Sequence, residues 1–232
     1  MKFAIRLAMA ALLLPMHTAA GDYSALLDEA TSALDNDYES DWAFTETSVE
    51  SEVTTVARYN PALPDGARWI LLMVDGRNPT TEEVTEFLAD KAEHDPGHDD
   101  DDDDPENDVE ELVEPGSLSL IEETDDYWLF SFVPTEDEDD EGFFEHVDAT
   151  LKIIKDGPYV EFINLQSNQP FRPQMGVKIK DFLTRLTFSP AAADGPIVPV
   201  SINIRIKARA FLVIGIDETV SISFSDYEYV GD

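Results

Sequence analysis

The sequence predicts a mainly β fold of the α+β class, in which one antiparallel sheet carries two helices. Most apolar segments are short, rich in β-branched and aromatic residues, and separated by turn residues, as in antiparallel strands. Two other segments have apolar residues at helical spacing. The chain contains no cysteine, so disulfides are excluded and burial of apolar side chains must hold the fold together.

The strands are predicted from alternation of apolar and polar residues. In residues 200–216 isoleucine and alanine alternate with serine, asparagine, lysine and arginine, which predicts a strand with one solvated face. Residues 218–230 repeat this pattern, and Asp217-Glu218 is predicted as the hairpin turn between them. Further strands are predicted at 48–59, 68–75, 117–122, 127–133, 146–155, 158–166 and 176–188. Residues 69–74 and 128–133 are apolar on both faces, which predicts central or covered strands.

Two helices are predicted on this sheet. Residues 23–37 have leucine and alanine at helical spacing, which indicates a short amphipathic helix. The second helix follows Pro79, begins with a capping box formed by Thr80 and Glu83, and ends before Pro96-Gly97. Both apolar stripes are narrow, so each helix is expected to lie on the larger sheet.

The first twenty residues predict a secretory signal peptide. Lys2 and Arg6 precede an apolar stretch, Leu7–Leu14, and small residues lead to Ala20. Pro15 interrupts the stretch, which is shorter than the roughly 20 apolar residues of a membrane-spanning helix. The sequence therefore predicts a periplasmic protein that does not span the membrane, cleaved near Ala20, with a single β-rich domain over residues 21–232.

Acidic residues dominate the chain. It has 50 acidic and 15 basic residues and a formal net charge of −35, so nucleic acid is a poor partner. Many acids lie in two segments near 93–114 and 135–142, predicted as flexible loops because blocks of like charge repel each other. No frame through residues 99–111 has the glycine of a calcium-binding loop, and Pro96 between His94 and His98 prevents a helical pair of ligands. We therefore predict no metal site.

No catalytic residue and no cofactor are predicted. The nucleophile-elbow, Walker A and dinucleotide-binding motifs are absent. With 50 acids in the chain, pairs of carboxylates arise by chance and carry no information about hydrolase chemistry. A binding role is therefore favoured over an enzymatic one.

The carboxyl-terminal part of the chain is locally basic. Arg205, Lys207 and Arg209 alternate along one strand and form a candidate site for an anionic partner. The alternative is that these cations pair with acids on neighbouring strands. The sequence leaves both interpretations open.

Large apolar side chains predict either a filled core or a ligand cavity. A strongly curved sheet with an apolar concave face would enclose a ligand under the helices, whereas the same residues could fill the space between sheet and helices. The candidates for lining such a cavity are Trp69, Leu71, Trp128, Phe130, Phe132, Phe162, Ile204 and Ile206.

The order of these elements resembles the periplasmic lipoprotein-sorting carriers of the LolA/LolB type. The likeness rests on the signal peptide, the leading helix, the inserted helix and the stretches WILLMVDGRNPTTEE (69–83) and FSDYEYV (224–230). It is similar also to uncharacterised exported proteins of Gram-negative bacteria that have the same turn after the tryptophan strand. The resemblance implies an unclosed β-barrel, or half-barrel, that holds acyl chains on its concave face under lid helices.

These observations lead to two functional hypotheses. The first is a periplasmic, non-catalytic carrier that binds a lipid-like or other apolar ligand. The alternative is an envelope interaction protein with a filled core, which holds another protein through the basic strand face or the acidic loops.

Overall fold

The computed structural model has one open antiparallel sheet of ten strands and three α-helices. The predicted fold class, a mainly β α+β fold with a curved, unclosed sheet, is confirmed. The structure describes residues 23–35, 37–93, 109, 111–135, 142–173, 176–193, 195–210 and 214–231. The predicted signal peptide and most of both acidic segments therefore lie outside the described residues.

The sheet is a meander with one long-range pairing. Its strands are β1 (Trp42–Glu50), β2 (Val53–Tyr59), β3 (Trp69–Val74), β4 (Ser119–Glu123), β5 (Tyr127–Phe132), β6 (Val147–Ile154), β7 (Tyr159–Ser167), β8 (Val177–Pro190), β9 (Ile197–Ala210) and β10 (Ile214–Tyr229). Their order is β3-β2-β1-β10-β9-β8-β7-β6-β5-β4. Neighbouring strands are consecutive in sequence except for β1 and β10, which join the first three strands to the last seven.

The helices are α1 (Ser24–Thr31), α2 (Tyr38–Asp41) and α3 (Thr81–Glu93). The capping box predicted for α3 is confirmed: the Glu83 amide donates to Thr80 Oγ1 at 3.3 Å, and the Thr80 amide donates to Glu83 Oε2 at 2.7 Å. Arg77 also donates to Glu83, and these hydrogen bonds lower the pKa of that carboxyl to about 2. Within the described residues, no helix has the length and apolar character needed to cross a bilayer.

Both longer helices pack on the same face of the sheet, which we call the inner face. Leu27 and Ala30 of α1 enter a large cluster formed by β5–β8. Val84 and Phe87 of α3 pack on a smaller cluster formed by β2 and β3. The opposite, outer face carries most of the polar side chains of the central strands, so the apolar alternation of the sequence determines which side the helices cover.

The segment 48–59, predicted as one strand, is instead a hairpin of β1 and β2. Its turn is Ser51-Glu52, and both residues have positive φ angles, 48° and 72°. Two-residue hairpin turns with positive φ usually contain asparagine or glycine. Because neither is present, this segment contains no turn signal, and the single-strand prediction is wrong.

The turn predicted at Asp217-Glu218 is also wrong. Both residues lie inside β10, where Asp217 is opposite Lys207 and Glu218 is opposite Ile206. The paired strand continues to Ile214, opposite Ala210. The two adjacent acidic residues suggested a turn in the sequence. In the structure, the cross-strand partner Lys207 stabilises Asp217 within the strand pairing.

The two doubly apolar strands are not central. Residues 69–74 form the edge strand β3, and residues 128–133 belong mainly to β5, next to the other edge. The helix α3 covers the inner face of β3, whereas Ile70, Leu72 and Met73 are 41–48% exposed. The prediction that these strands lie under helices therefore holds for the inner face of β3 and for β5, whose Phe130 and Phe132 pack in the cluster that α1 enters. It does not hold for the outer face of β3.

The turn of the first hairpin provides a stability test. We expect Glu52→Gly to stabilise the protein by roughly 0.5–1 kcal/mol, because glycine adopts positive φ without the steric penalty of a β-carbon. The matched control is Asp126→Gly in the β4–β5 turn, which also replaces an acid by glycine but at a residue without positive φ. Urea unfolding measures both, and an equal effect of the two changes would contradict the assignment of strain to Glu52.

Candidate functional site

The large inner cluster contains two of the residues predicted to line a cavity. Phe130 is fully buried and Phe132 is 6% exposed. Trp128, a third candidate, packs at the margin of the cluster, and the Lys155 ammonium lies 4.5 Å from its ring centroid. The cluster is closed by α1 and by Val109, Val113 and Leu118 from the segment before β4. These side chains therefore fill a core in this half of the sheet.

A cavity of about 740 Å³ lies between α1 and the segment that precedes β4. Its volume falls in the roughly 300–1,000 Å³ range of small-molecule sites. Tyr23, Leu27, Val113, Pro115 and Leu118 provide apolar lining. The remaining lining residues are Ser24, Asp28, Glu111, Glu114, Gly116 and Thr135. The cavity thus combines an apolar surface with several polar groups.

The charged groups of this cavity are all acidic. Asp28, Glu111 and Glu114 contribute to its lining, and no lysine or arginine is present among the described lining residues. All three acids are exposed to solvent. A carboxylate on a ligand would meet like charges here, whereas a neutral or cationic group would not.

The sequence did not identify this cavity, because its lining combines residues of α1 with residues of a distant segment before β4. Val113 and Leu118 follow an acidic run, and Leu118 lies in the segment 117–122 that was predicted as a strand. In the structure Val113 is 4% exposed and forms a β-bridge with Pro134, which fixes the segment against the end of β5. The sequence predicted a helix at 23–37 and a strand at 117–122, but no sequence signal indicated that these segments lie side by side.

Trp69 and Leu71, also predicted to line a cavity, lie under α3. Leu71 is buried with Ala57 and Val74, and Trp69 packs at the edge of this second cluster. Trp69 also contacts Phe44, with ring centroids 5.8 Å apart. These two candidates are therefore separated from Phe130 and Phe132 by the central strands of the sheet.

A buried ion pair attaches α3 to the sheet. Lys91 Nζ donates to both carboxylate oxygens of Glu46, each at 2.9 Å. Glu46 is 7% exposed and lies on the inner face of β1. The same ammonium lies 4.1 Å from the ring centroid of Trp69. Since an unpaired buried carboxylate is costly, this contact positions the helix as well as stabilising it.

Aromatic rings extend this second cluster towards the end of the chain. Phe44 is fully buried, and its ring centroid lies 5.1 Å from that of Tyr59 and 5.6 Å from that of Tyr227. The Tyr227 hydroxyl donates to the Pro199 carbonyl, and burial raises the pKa of this tyrosine. The rings fill the space below α2 and α3, so this half of the sheet also has a packed core.

The candidates Ile204 and Ile206 lie between the two clusters. With Ile202, Val220 and Ile222 they form an apolar stripe on the inner face of β9 and β10. Ile204 is 37% exposed, and the other four are partly buried. None of the five belongs to a buried cluster of the described residues. Among the described residues, the middle of the inner face is therefore covered by neither helix cluster.

Phe162, the last cavity candidate, lies on the outer face. It is opposite Lys152 and Thr187, one residue out of phase with the buried Ile163. The guanidinium carbon of Arg185 lies 3.9 Å from its ring centroid. Phe162 is thus separated by the sheet from the other candidates and packs under a cation.

The basic strand face divides into paired and unpaired cations. Arg205 Nε donates to Asp181 Oδ2 at 2.6 Å, and Lys207 Nζ lies 3.3 Å from Asp217 Oδ1. Both therefore have the cross-strand acidic partners that the sequence offered as an alternative. Arg209 has no carboxylate within 4 Å in the part of the chain that the structure describes. The three predicted residues are adjacent on one face, but they are not equivalent.

Among the described residues, no three His, Asp or Glu side chains form a group that could hold a metal ion. His94 and His98 lie outside this part of the chain. His146 lies beside Phe171, with ring centroids 5.0 Å apart.

The buried ion pair of α3 provides a second stability test. We expect Lys91→Met to destabilise the fold by about 3 kcal/mol, because Glu46 would remain buried without its partner. The control is Lys155→Met, which also removes a cation from above a tryptophan but leaves Glu123, a carboxylate 54% exposed, in water. That change should cost less than about 1 kcal/mol. Urea unfolding of both variants would show equal losses if burial of Glu46 were unimportant.

The comparisons with known proteins assign no family to this chain. Comparison of the chain with protein-family models, with curated proteins and with solved structures gives no match. The function therefore has to be inferred from the cavity, the exposed apolar stripe and the charges described above.

Proposed function

We propose that this chain is a non-catalytic binding protein that carries an apolar, lipid-like small molecule in the cavity beside α1. The observation that carries the proposal is the 740 Å³ cavity between α1 and the segment preceding β4. Its size suits a ligand with one alkyl chain or a compact ring system. Leu27, Val113 and Leu118 supply an apolar surface from which water is readily displaced.

The acidic lining defines the preferred charge of the ligand. Asp28, Glu111 and Glu114 line the cavity, and none of its described lining residues is basic, so an anionic ligand such as a fatty acid is disfavoured. A neutral or positively charged amphiphile can place its alkyl chain on the apolar side and its polar group near these acids. The proposed ligand is therefore a neutral or cationic amphiphile.

The helix α1 provides a means of ligand entry. It has eight residues, and among the described residues the side chain of its N-cap residue, Tyr23, makes no capping hydrogen bond. A helix this short depends on packing for its stability, and Leu27 and Ala30 supply that packing against the sheet. Displacing α1 would widen the cavity without breaking any strand pairing.

Filling the cavity tests this proposal. Thr135 is exposed and lines the cavity from the end of β5, so Thr135→Trp should weaken binding of dodecanol at least about tenfold, or 1.4 kcal/mol. The control Thr219→Trp introduces the same side chain on the outer face of β10. Calorimetric titration measures affinity, and circular dichroism verifies the fold of each variant.

The same titrations distinguish cavity from stripe and test ligand charge. Ile204→Glu should leave affinity unchanged, and loss of binding in this variant alone would place the ligand on the stripe and contradict the cavity. Dodecylamine and dodecanol should bind more tightly than dodecanoate. Glu111→Gln with Glu114→Gln should reduce this difference. Tighter binding of dodecanoate by the unmodified protein would refute the proposed charge preference.

Export to the periplasm is part of the proposal and rests on residues 1–20. The charged start, the apolar stretch and the small residues before Gly21 support cleavage near Ala20. Mass spectrometry of the protein from the envelope fraction should give a chain beginning near Gly21. Recovery of a chain that retains residues 1–20 in the cytoplasmic fraction would contradict export.

A further inference from the structure

The unpaired cations of the described chain gather at one end of the central strands. Thirteen lysine and arginine residues lie in the described ranges. Eight of them are within 4 Å of a carboxylate, and Arg185 packs over Phe162. The other four are Arg172, Lys178, Lys180 and Arg209, and all four are exposed. These four cations have no acidic partner within 4 Å among the described residues, although the chain is rich in acids.

Three of these cations, Lys178, Lys180 and Arg209, belong to a three-stranded arm that extends beyond its neighbours, and Arg172 lies beside its β8 edge. The arm consists of residues 177–182 of β8, 205–210 of β9 and 214–219 of β10. On one side β7 pairs with β8 only from Leu183 onward, and on the other β1 pairs with β10 only from Val220 onward. Apart from the bridge between Phe171 and Ile179, the described chain supplies no further strand to its edges.

The cations form a row across the arm close to its end. Lys178 and Arg209 are direct cross-strand partners, and like charges in that position destabilise a sheet. Arg172 follows Phe171, which pairs with Ile179, so it lies level with Lys178. The next pair towards the end of the arm is Ala210 with Ile214, and Ile214 is 56% exposed. Ile214 and Ala210 project from the inner face and Lys178 and Arg209 from the outer face, so the row of cations lies on the outer face of the arm.

We propose that this end of the arm docks on an anionic membrane surface. Neighbouring strands lie about 4.8 Å apart, so the cations form a shallow, open row that suits an array of lipid phosphates. The outward side chains of β9 and β10 in the arm include no aromatic residue that could anchor a protein partner.

The net charge of −35 does not prevent this contact at physiological salt. Charges farther away than the Debye length of about 8 Å are largely screened, so the groups nearest the surface dominate. The contact orients the protein with the basic end of the arm towards the membrane. This inference goes beyond the proposed function and does not depend on it, because docking requires no bound ligand.

Vesicle flotation of the mature protein tests the docking surface. The protein should float with phosphatidylcholine vesicles that contain phosphatidylglycerol, but not with phosphatidylcholine alone, and less at high salt. Lys178→Gln with Arg209→Gln should weaken partitioning roughly 25-fold, since each cation near an anionic surface contributes about 1 kcal/mol, or fivefold. The matched control, Lys152→Gln with Lys155→Gln, removes the same charge from β6 and the residue after it.

Three outcomes would overturn the inference. These are failure of the unmodified protein to float with anionic vesicles, equal losses in both double variants, and displacement from vesicles by inorganic phosphate at constant ionic strength. The last result would indicate a site for a free anion. Dodecanol binding by the Lys178/Arg209 double variant separates this inference from the carrier proposal: retained binding with lost flotation is the expected result. Conversely, the cavity variant Thr135→Trp should lose dodecanol binding and still float with anionic vesicles as the unmodified protein does.

Discussion

The pairing of β1 with β10 is the constraint on which the rest of the structure depends. All other neighbouring strands are consecutive in sequence. The pair β1 and β10 instead joins residues near opposite ends of the described chain, from Trp42 opposite Tyr229 to Glu50 opposite Val220. Closing such a long loop is entropically costly. The buried Phe44, in contact with Phe224 and Tyr227, supplies part of the compensating burial at this seam.

This pairing also determines how the inner face is divided. It places the cluster under α3 on one side of β9 and β10, and the larger cluster under α1 on the other. The two helices cover the sides of the sheet, and the branched side chains of β9 and β10 remain partly exposed between them. An open sheet with separate covers can therefore combine packed cores with a cavity beside α1. Its stability does not require the whole inner face to be filled.

Charge is distributed according to local partners despite the large excess of acids. Cations near acids form ion pairs, such as Arg205 with Asp181, and a buried one holds α3 through Lys91 and Glu46. The acids that line the cavity and the cations at the end of the three-stranded arm lack such compensation within the described chain. Uncompensated charge of opposite sign thus lies at two separate places. The proposed ligand and the proposed membrane contact use these two places independently.

The sequence by itself determined the fold class, the capping box at Thr80 and Glu83, and most of the strands, because alternation and capping are local properties of the chain. It could not determine the hairpin at Ser51-Glu52, whose positive φ angles are imposed by strand pairing, or the edge position of β3. The alternation placed Ile204 on the apolar face, but it did not separate Phe162 from the core, because a bulge at β6–β7 contributes to the register there. Only the tertiary structure brought α1 beside Val113 and Leu118 to form the cavity. Strand register, in turn, placed acidic partners beside Arg205 and Lys207. The same register placed Arg209 opposite Lys178. These outcomes depend on contacts between distant segments, which composition and periodicity do not encode.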